Sequence, residues 1–211
     1  MTAAIRVAVL VSLAATPVAA QSAPELSWGA AVTTNYISKG VTQSDDKPAI
    51  QGYAEIGWGF AYGGIWASSV DLDGDYAEYD IFAGVRHTVG NLSIDLNYTR
   101  YVYNKSGDCC GEFILFAGYS LDVVEVGLEF DYDPVYETRW GEAIVAIPFL
   151  EYYEAGGNVG TDFGSHGYDE DKVAWDFGVS RTLGEVASID LRYHDSNLDD
   201  PRGALTLAVD F

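Results

Sequence analysis

Basic residues are scarce in this chain: 11 Lys+Arg stand against 32 Asp+Glu in 211 residues, a formal net charge of −21. Nucleic-acid binding requires a basic face to neutralise phosphate, so nucleic acid is excluded as a partner. Cysteine is nearly absent, and the two present, Cys109 and Cys110, are adjacent. Neither a disulfide framework nor a C-x-x-C metal site can be built from them. Long apolar runs are missing as well. Beyond the N-terminus the longest is Ala143 to Leu150, eight residues that include Pro148, far short of a membrane-spanning helix. Catalytic signatures are also lacking: neither G-x-S-x-G nor H-E-x-x-H occurs. His194-Asp195-Ser196 is the nearest approach to a lipid-modifying triad. Adjacent strand residues point to opposite faces, so these three do not converge without a bend. The chain is therefore read as a non-enzyme without cofactor, catalytic residue or metal site.

What is present is 48% hydrophobic residues, 14% aromatics and 23 Gly, which excludes intrinsic disorder and favours a sheet protein over a helical one. Residues 1–20, MTAAIRVAVLVSLAATPVAA, place Arg6 before a short apolar stretch and end in Val18-Ala19-Ala20. That is the form of a secretory signal peptide cleaved after Ala20, leaving residues 21–211 as the folded unit. An exported chain that lacks a spanning helix is either soluble or crosses a membrane as a closed barrel. Periodicity decides between these. In VEVGLEFDYD, Val124, Val126, Leu128, Phe130 and Tyr132 share one face, and Glu125, Gly127, Glu129, Asp131 and Asp133 share the other. The same period of two runs through KVAWDFGVS, LSIDLNY and ASIDLRYHD.

The alternation predicts an all-β fold. Its strands fall near 26–38, 49–60, 63–72, 77–89, 91–103, 111–121, 123–133, 138–147, 149–160, 171–182, 186–195 and 203–211. Twelve strands become ten if the blurred segments across 138–160 merge. Tight connections (Ala61-Tyr62, Gly90, Asp122, Pro148, Gly184-Glu185) alternate with longer polar ones at 40–48, 73–76, 104–110, 134–137, 161–170 and 196–202. Short inner turns and longer outer loops are the asymmetry of outer-membrane barrels. The last strand, GALTLAVDF, alternates up to Phe211, resembling the assembly signal at the end of bacterial outer-membrane proteins. A single transmembrane antiparallel β-barrel after a signal peptide satisfies every backbone group without an edge. Trp28, Tyr36, Trp58, Trp66, Tyr98, Trp140, Trp175 and Tyr193 are candidates for its interfacial aromatic belts.

Four segments carry a family resemblance: NYISKGVTQSDDKPAIQGY (35–53), GIWASSVD (64–71), EYDIFAGV (78–85) and EFILFAGYS (112–120). With Gly40, Gln43, Asp46, Lys47, Pro48, Ala49, Gln51 and Gly52, then Trp66, Ala67, Ser68, Val70 and Asp71, the chain resembles the TorF-type porin family, the Gcw_chp grouping of outer-membrane proteins of unknown function. The match is strongest over residues 30–120 and rests on strand rhythm beyond. The resemblance implies the outer membrane of a Gram-negative bacterium and a pore, without naming a substrate. The adjacent cysteines are not a feature of the family pattern.

Strand parity sends Glu55, Asp71, Glu78, Asp80, Asp95, Glu125, Glu129, Asp131, Asp176 and Asp190 to the interior, against the bases Lys39, Arg86, Lys172 and Arg192. An acidic wall in a confined channel concentrates cations. The expected function is passive diffusion of small hydrophilic solutes with a preference for cations. The alternatives are a non-conducting structural or surface-binding barrel and, third, a lipid-modifying enzyme. Membrane lipid, lipopolysaccharide, the barrel assembly machinery and small solutes are the partners this reading implies. The Asp71-x-Asp73-Gly74-Asp75 run lacks the EF-hand spacing and is read as a solvated hairpin tip. Cys109 and Cys110, placed in an external loop of an oxidising compartment, form a vicinal disulfide, an intermolecular bridge or two thiols; the vicinal disulfide is the reading carried forward.

Overall fold

A computed structural model describes residues 23–163 and 172–211. The signal-peptide reading of residues 1–20 lies outside the described residues, as does most of the connection expected at 161–170. The strands are β1 (Glu25–Thr33), β2 (Ile37–Ser38), β3 (Val41–Thr42), β4 (Ala49–Trp58), β5 (Ala61–Leu72), β6 (Asp75–Val89), β7 (Leu92–Tyr103), β8 (Gly107–Leu121), β9 (Val124–Asp133), β10 (Thr138–Phe149), β11 (Tyr153–Asp162), β12 (Val173–Leu183), β13 (Ala187–Ser196) and β14 (Arg202–Asp210). β1 and β4 to β14 form one closed barrel of twelve antiparallel strands, each paired with its sequence neighbour. β2 and β3 form a separate two-stranded hairpin within the first long connection.

Closure is made by β1, which pairs with β4 on one edge and β14 on the other. Phe211 extends that seam. Its N–H donates to the Trp28 carbonyl (2.8 Å), the Trp28 N–H donates to the Phe211 carbonyl (3.0 Å), and the two rings stack at 4.3 Å. The terminal aromatic is thus part of the joint that removes the sheet's last edge.

The outward residues make an apolar wall: Ile50 is 69% exposed and Leu128 65%. An uninterrupted apolar surface of this extent marks a lipid-facing protein. Trp28, Trp58, Phe60, Phe149 and Phe211 ring the short-turn end. Tyr98 and Phe113 (4.9 Å between ring centres) and Trp175 and Tyr193 (5.4 Å) lie toward the long-loop end. Three of the expected belt residues are elsewhere. Trp66, Trp140 and Tyr36 are buried inside the barrel. Ile65 faces outward, so its neighbour Trp66 must face inward. In β10 the outward set of Ala143, Val145 and Ile147 turns Trp140 inward by the same parity.

Other boundaries also shift. β1 ends at Thr33, because residues 34–48 leave the wall and fold inward. The turn expected at Ala61-Tyr62 is at Gly59-Phe60, where Gly59 takes a φ of +63° that a residue with a side chain resists. The turn expected at Pro148 falls at residues 150–152. Pro148 remains in β10 opposite Glu154, one position from the strand's end, where a missing N–H costs the ladder little. Asp71 is on the outward parity at the rim, where Lys47 Nζ reaches its Oδ2 at 2.5 Å; it is not an interior residue. The connection expected at 73–76 contracts to Asp73-Gly74, and Asp75 accepts the Lys105 and Ser106 amides at 2.7 and 3.1 Å.

The cysteines are not in a loop. β8 begins at Gly107, and Cys109 and Cys110 lie within it, joined to each other by a disulfide. Tyr101 pairs with Cys110 and Val102 with Asp108, so Cys109 is the extra residue of a β-bulge. The bulge turns Cys110 inward, fully buried with Tyr36, Trp66, Tyr101 and Tyr103.

Candidate functional site

The interior site is built around the inward segment 34–48, which is also the most distinctive stretch of the sequence. Its Asn, Ser, Thr and Gln side chains bond to nearby backbone and to each other, an alternative to sheet pairing that such residues favour. Asn35 Nδ2 donates to Asp46 Oδ1 (2.7 Å), and Asn35 Oδ1 accepts from Thr42 Oγ1 (2.7 Å). Ser44 Oγ accepts the Tyr36 N–H (3.0 Å) and donates to the Lys47 carbonyl (2.6 Å). At the rim, Arg202 Nε lies 2.6 Å from Asp46 Oδ1, and this bond holds the Asp46 carboxyl below its ordinary pKa.

The hairpin β2–β3 carries its tip, Lys39-Gly40, across the barrel. Gly40 has a φ of +77°. A Cβ placed on it would stand 2.9 Å from both the Ala174 and Ser196 Cβ atoms of β12 and β13, so the tip backbone lies directly against the far wall. Lys39 Nζ lies 2.8 Å from Asp131 Oδ2 on β9 and 3.4 Å from Glu112 Oε1 on β8, and 5.5 Å from the ring centre of Trp140 on β10. Burial works against the Lys39 ammonium. Glu112 and Asp131 more than offset that, and its pKa lies above the ordinary lysine value.

Around this contact is a dense acidic niche. Glu78, Asp80 and Asp133 are 0% exposed, Asp131 1% and Glu112 2%. Tyr103 OH donates to Glu78 Oε1 (2.8 Å) and Tyr101 OH to Glu112 Oε2 (2.9 Å). Asp133 Oδ1 accepts the Val135 and Tyr136 amides. Neither oxygen of Asp80 has a hydrogen-bond partner. Carboxyl groups outnumber the Lys39 ammonium, and burying unpaired charge is costly, so the excess is relieved by a further cation or by protonation of a carboxyl.

Beside the segment remains a cavity of about 390 Å³. It is open because its walls are small: Ala31, Gly156, Ala174, Ser188, Thr206 and Ala208 line it. The opposite inner wall carries Tyr53, Trp66, Phe82, Tyr101 and Tyr103. One side of the cavity presents Glu129, Glu142 and Glu154; the other presents Arg192 between Asp176 (2.5 Å) and Asp190 (3.2 Å), with His194 Nδ1 3.9 Å from Asp176. Asp195, the middle of the His194-Asp195-Ser196 run, is on the outward parity.

Asp71 apart, the sequence-derived interior candidates on the strands lie on the inner face, but they do not form one group. Glu129, Asp176, Asp190 and Arg192 line the cavity. Glu78, Asp80 and Asp131 belong to the closed niche. Glu55, Arg86 and Asp95 form an ion-paired cluster at the short-turn end: Arg86 lies 2.7 Å from Glu55 and 3.4 Å from Asp95, over the Tyr62 ring at 3.6 Å. Glu125 points inward on β9 near the same end. Sequence reasoning missed Glu112, Glu142, Glu154 and the inward fold of 34–48. Glu112 lies in the strand expected at 111–121, whose two faces were not assigned to inside and outside. Glu142 and Glu154 were hidden by the blurred pattern around Pro148.

The burial of Lys39 has a direct consequence for proteolysis. Trypsin is expected to leave Lys39–Gly40 intact in the folded barrel and to cut it after unfolding, as read by peptide mass. Lys47 gives no competing signal within the segment, because Pro48 follows it. Cutting after Lys39 in the folded protein would contradict the inward placement.

Solved structures similar to this fold include two of the KdgM porin. The KdgM porin aligns with a TM-score of 0.66 and 9% identity, over 88% of this chain and 98% of that one. The KdgM porin in complex with disordered oligogalacturonate aligns with a TM-score of 0.61 and 8% identity, over 90% and 98%. At such identities the likeness is one of fold. Comparison with curated proteins returns no match in sequence. The family model for Gcw_chp, described as a bacterial protein of unknown function, matches residues 17–209, and the chain, with its twelve-stranded barrel and inward loop, belongs to that family.

Proposed function

We propose that this protein is an outer-membrane channel of the TorF porin type, passing small hydrophilic solutes by diffusion with a preference for cations. Residues 1–20 direct export and are removed, and residues 21–211 form the barrel in a Gram-negative outer membrane. The observation that carries the reading is the cavity of about 390 Å³ with Glu129, Glu142 and Glu154 on one wall. Carboxylates in a confined passage attract cations and repel anions. The KdgM porin is known in complex with oligogalacturonate; a polyanion of that kind does not suit the acidic interior here. Outside, Arg139, over the Tyr132 ring, and Arg100, paired with Asp108, are on the outward parity toward the long loops, where exchange of Asp108 for a lipopolysaccharide phosphate would suit Arg100, and Phe211 suits recognition by the barrel assembly machinery.

Liposome swelling tests the reading. Small neutral and cationic solutes are expected to enter faster than anions of equal size. Equal impermeability to all of them would favour a second reading, a closed structural barrel, which draws on the close docking of Gly40 against β12 and β13.

The mouth also carries a titratable group. Lys172 precedes β12, with its ammonium 5.8 Å from the Trp140 ring centre. Burial, with Lys39 nearby, pushes its pKa down to about 8. Its charge is therefore present below that pH and lost above it. Cation preference, read as reversal potential, is expected to increase between pH 7 and pH 9, and Lys172→Met is expected to remove most of that change. A pH response equal in both proteins would assign it to another group.

A further inference from the structure

The niche that holds Lys39 has the chemistry of a ligand site. Two carboxylates, Glu112 and Asp131, and the face of an aromatic ring, Trp140, converge on one ammonium. Charge-assisted bonds combined with a ring face are a general means of recognising organic ammonium groups. Beside Glu112, Asp80 is fully buried and both its oxygens lack hydrogen-bond partners, an unused polar group next to the niche. Lys39 and Trp140 line the cavity, whereas Glu112 and Asp131 lie behind them. Withdrawing the lysine would open the carboxylates to the cavity.

We infer that the Glu112–Asp131–Trp140 niche is a recognition site for the primary ammonium group of a small solute, occupied here by Lys39 of the protein's own loop. As a solute site it rests on the channel reading. It adds that the solute class is primary amines and that such a solute competes with Lys39. The competition couples binding to the loop: an amine in the niche replaces the contact that holds the hairpin tip, while a neutral solute of the same size does not.

The test uses chemical complementation in the full mature barrel. Lys39→Ala removes the atoms of a propylammonium ion and leaves the two carboxylates and the ring. Titration calorimetry is expected to show saturable, one-to-one binding of n-propylammonium to this variant, with a Kd on the order of millimolar. Propan-1-ol is expected not to bind, and wild-type protein to bind at least about tenfold more weakly because its site is filled. Adding Asp131→Asn to Lys39→Ala is expected to weaken binding by about tenfold or more. No saturable binding to Lys39→Ala, equal binding of propan-1-ol, or no effect of Asp131→Asn would each overturn the inference. If Lys39→Ala does not form a barrel, hydrogen exchange of residues 34–48 in wild type decides. n-Butylammonium is expected to accelerate it several-fold over sodium or butan-1-ol at equal concentration, and equal exchange in all three would overturn the inference. Neither readout depends on current, so a barrel that binds the amine and conducts nothing would refute the channel and leave the niche.

Discussion

Gly40→Val is expected to raise single-channel conductance several-fold while leaving the barrel's unfolding temperature within a few degrees of wild type. Two costs fall on the same residue. Gly40 has a φ of +77°, and a side chain in the left-handed region costs about 1–2 kcal/mol, more when β-branched. Its Cβ would stand 2.9 Å from those of Ala174 and Ser196, and overpacking of this kind costs about 1–3 kcal/mol. The sum, about 2–5 kcal/mol, is comparable with what is needed to turn a dominant docked state into a minor one. The ladder does not share the cost. All twelve wall strands pair without Gly40, so the loop can leave while the barrel stays closed. Conductance equal to wild type would mean that the tip does not limit the passage.

The second large effect concerns selectivity. Replacing Glu129, Glu142 and Glu154 together by Gln is expected to reduce the cation-to-anion permeability ratio roughly fivefold or more. A charge some 5 Å from a passing ion interacts by about 1 kcal/mol in water and more in a partly shielded lumen, and 1.4 kcal/mol is a tenfold change. These three face the cavity, so under the proposed function their charge acts where the ion would pass. A set chosen from strand alternation alone, Glu125, Glu129 and Asp131, would include the direct ion-pair partner of the loop, because Asp131 holds Lys39 at 2.8 Å, whereas Glu142 reaches the loop through its bond from Trp140 Nε1 (3.0 Å). Neutralising Asp131 loosens the loop as well as changing the field. A permeability ratio unchanged in the triple Gln variant would remove these carboxylates from the path.

The wall was legible because lipid on one side and water on the other impose a strict two-residue period. Val124 to Asp133 reads directly as β9, and the same period placed Glu55, Asp95, Asp176 and Asp190 on the inner face. Where the period is weak, the reading slipped. Pro148 looked like a turn because proline usually breaks a ladder, but near a strand end it does not. The adjacent cysteines looked like a loop because a bulge interrupts alternation in the same way a loop does. The inward hairpin had no periodic signal at all. Its placement comes from contacts distant in sequence, such as Lys39 with Asp131 and Asp46 with Arg202. Its polar residues satisfy one another locally, which in sequence resembles an ordinary solvated loop.

The most direct measurement is the reversal potential of the purified mature barrel in a planar bilayer under a salt gradient, recorded for wild type and Gly40→Val. An acidic lumen narrowed by the 34–48 loop predicts small discrete steps in wild type and larger ones in the variant, both with the sign of a cation-preferring path. Silence from both proteins, or a potential of anion-preferring sign, would contradict it.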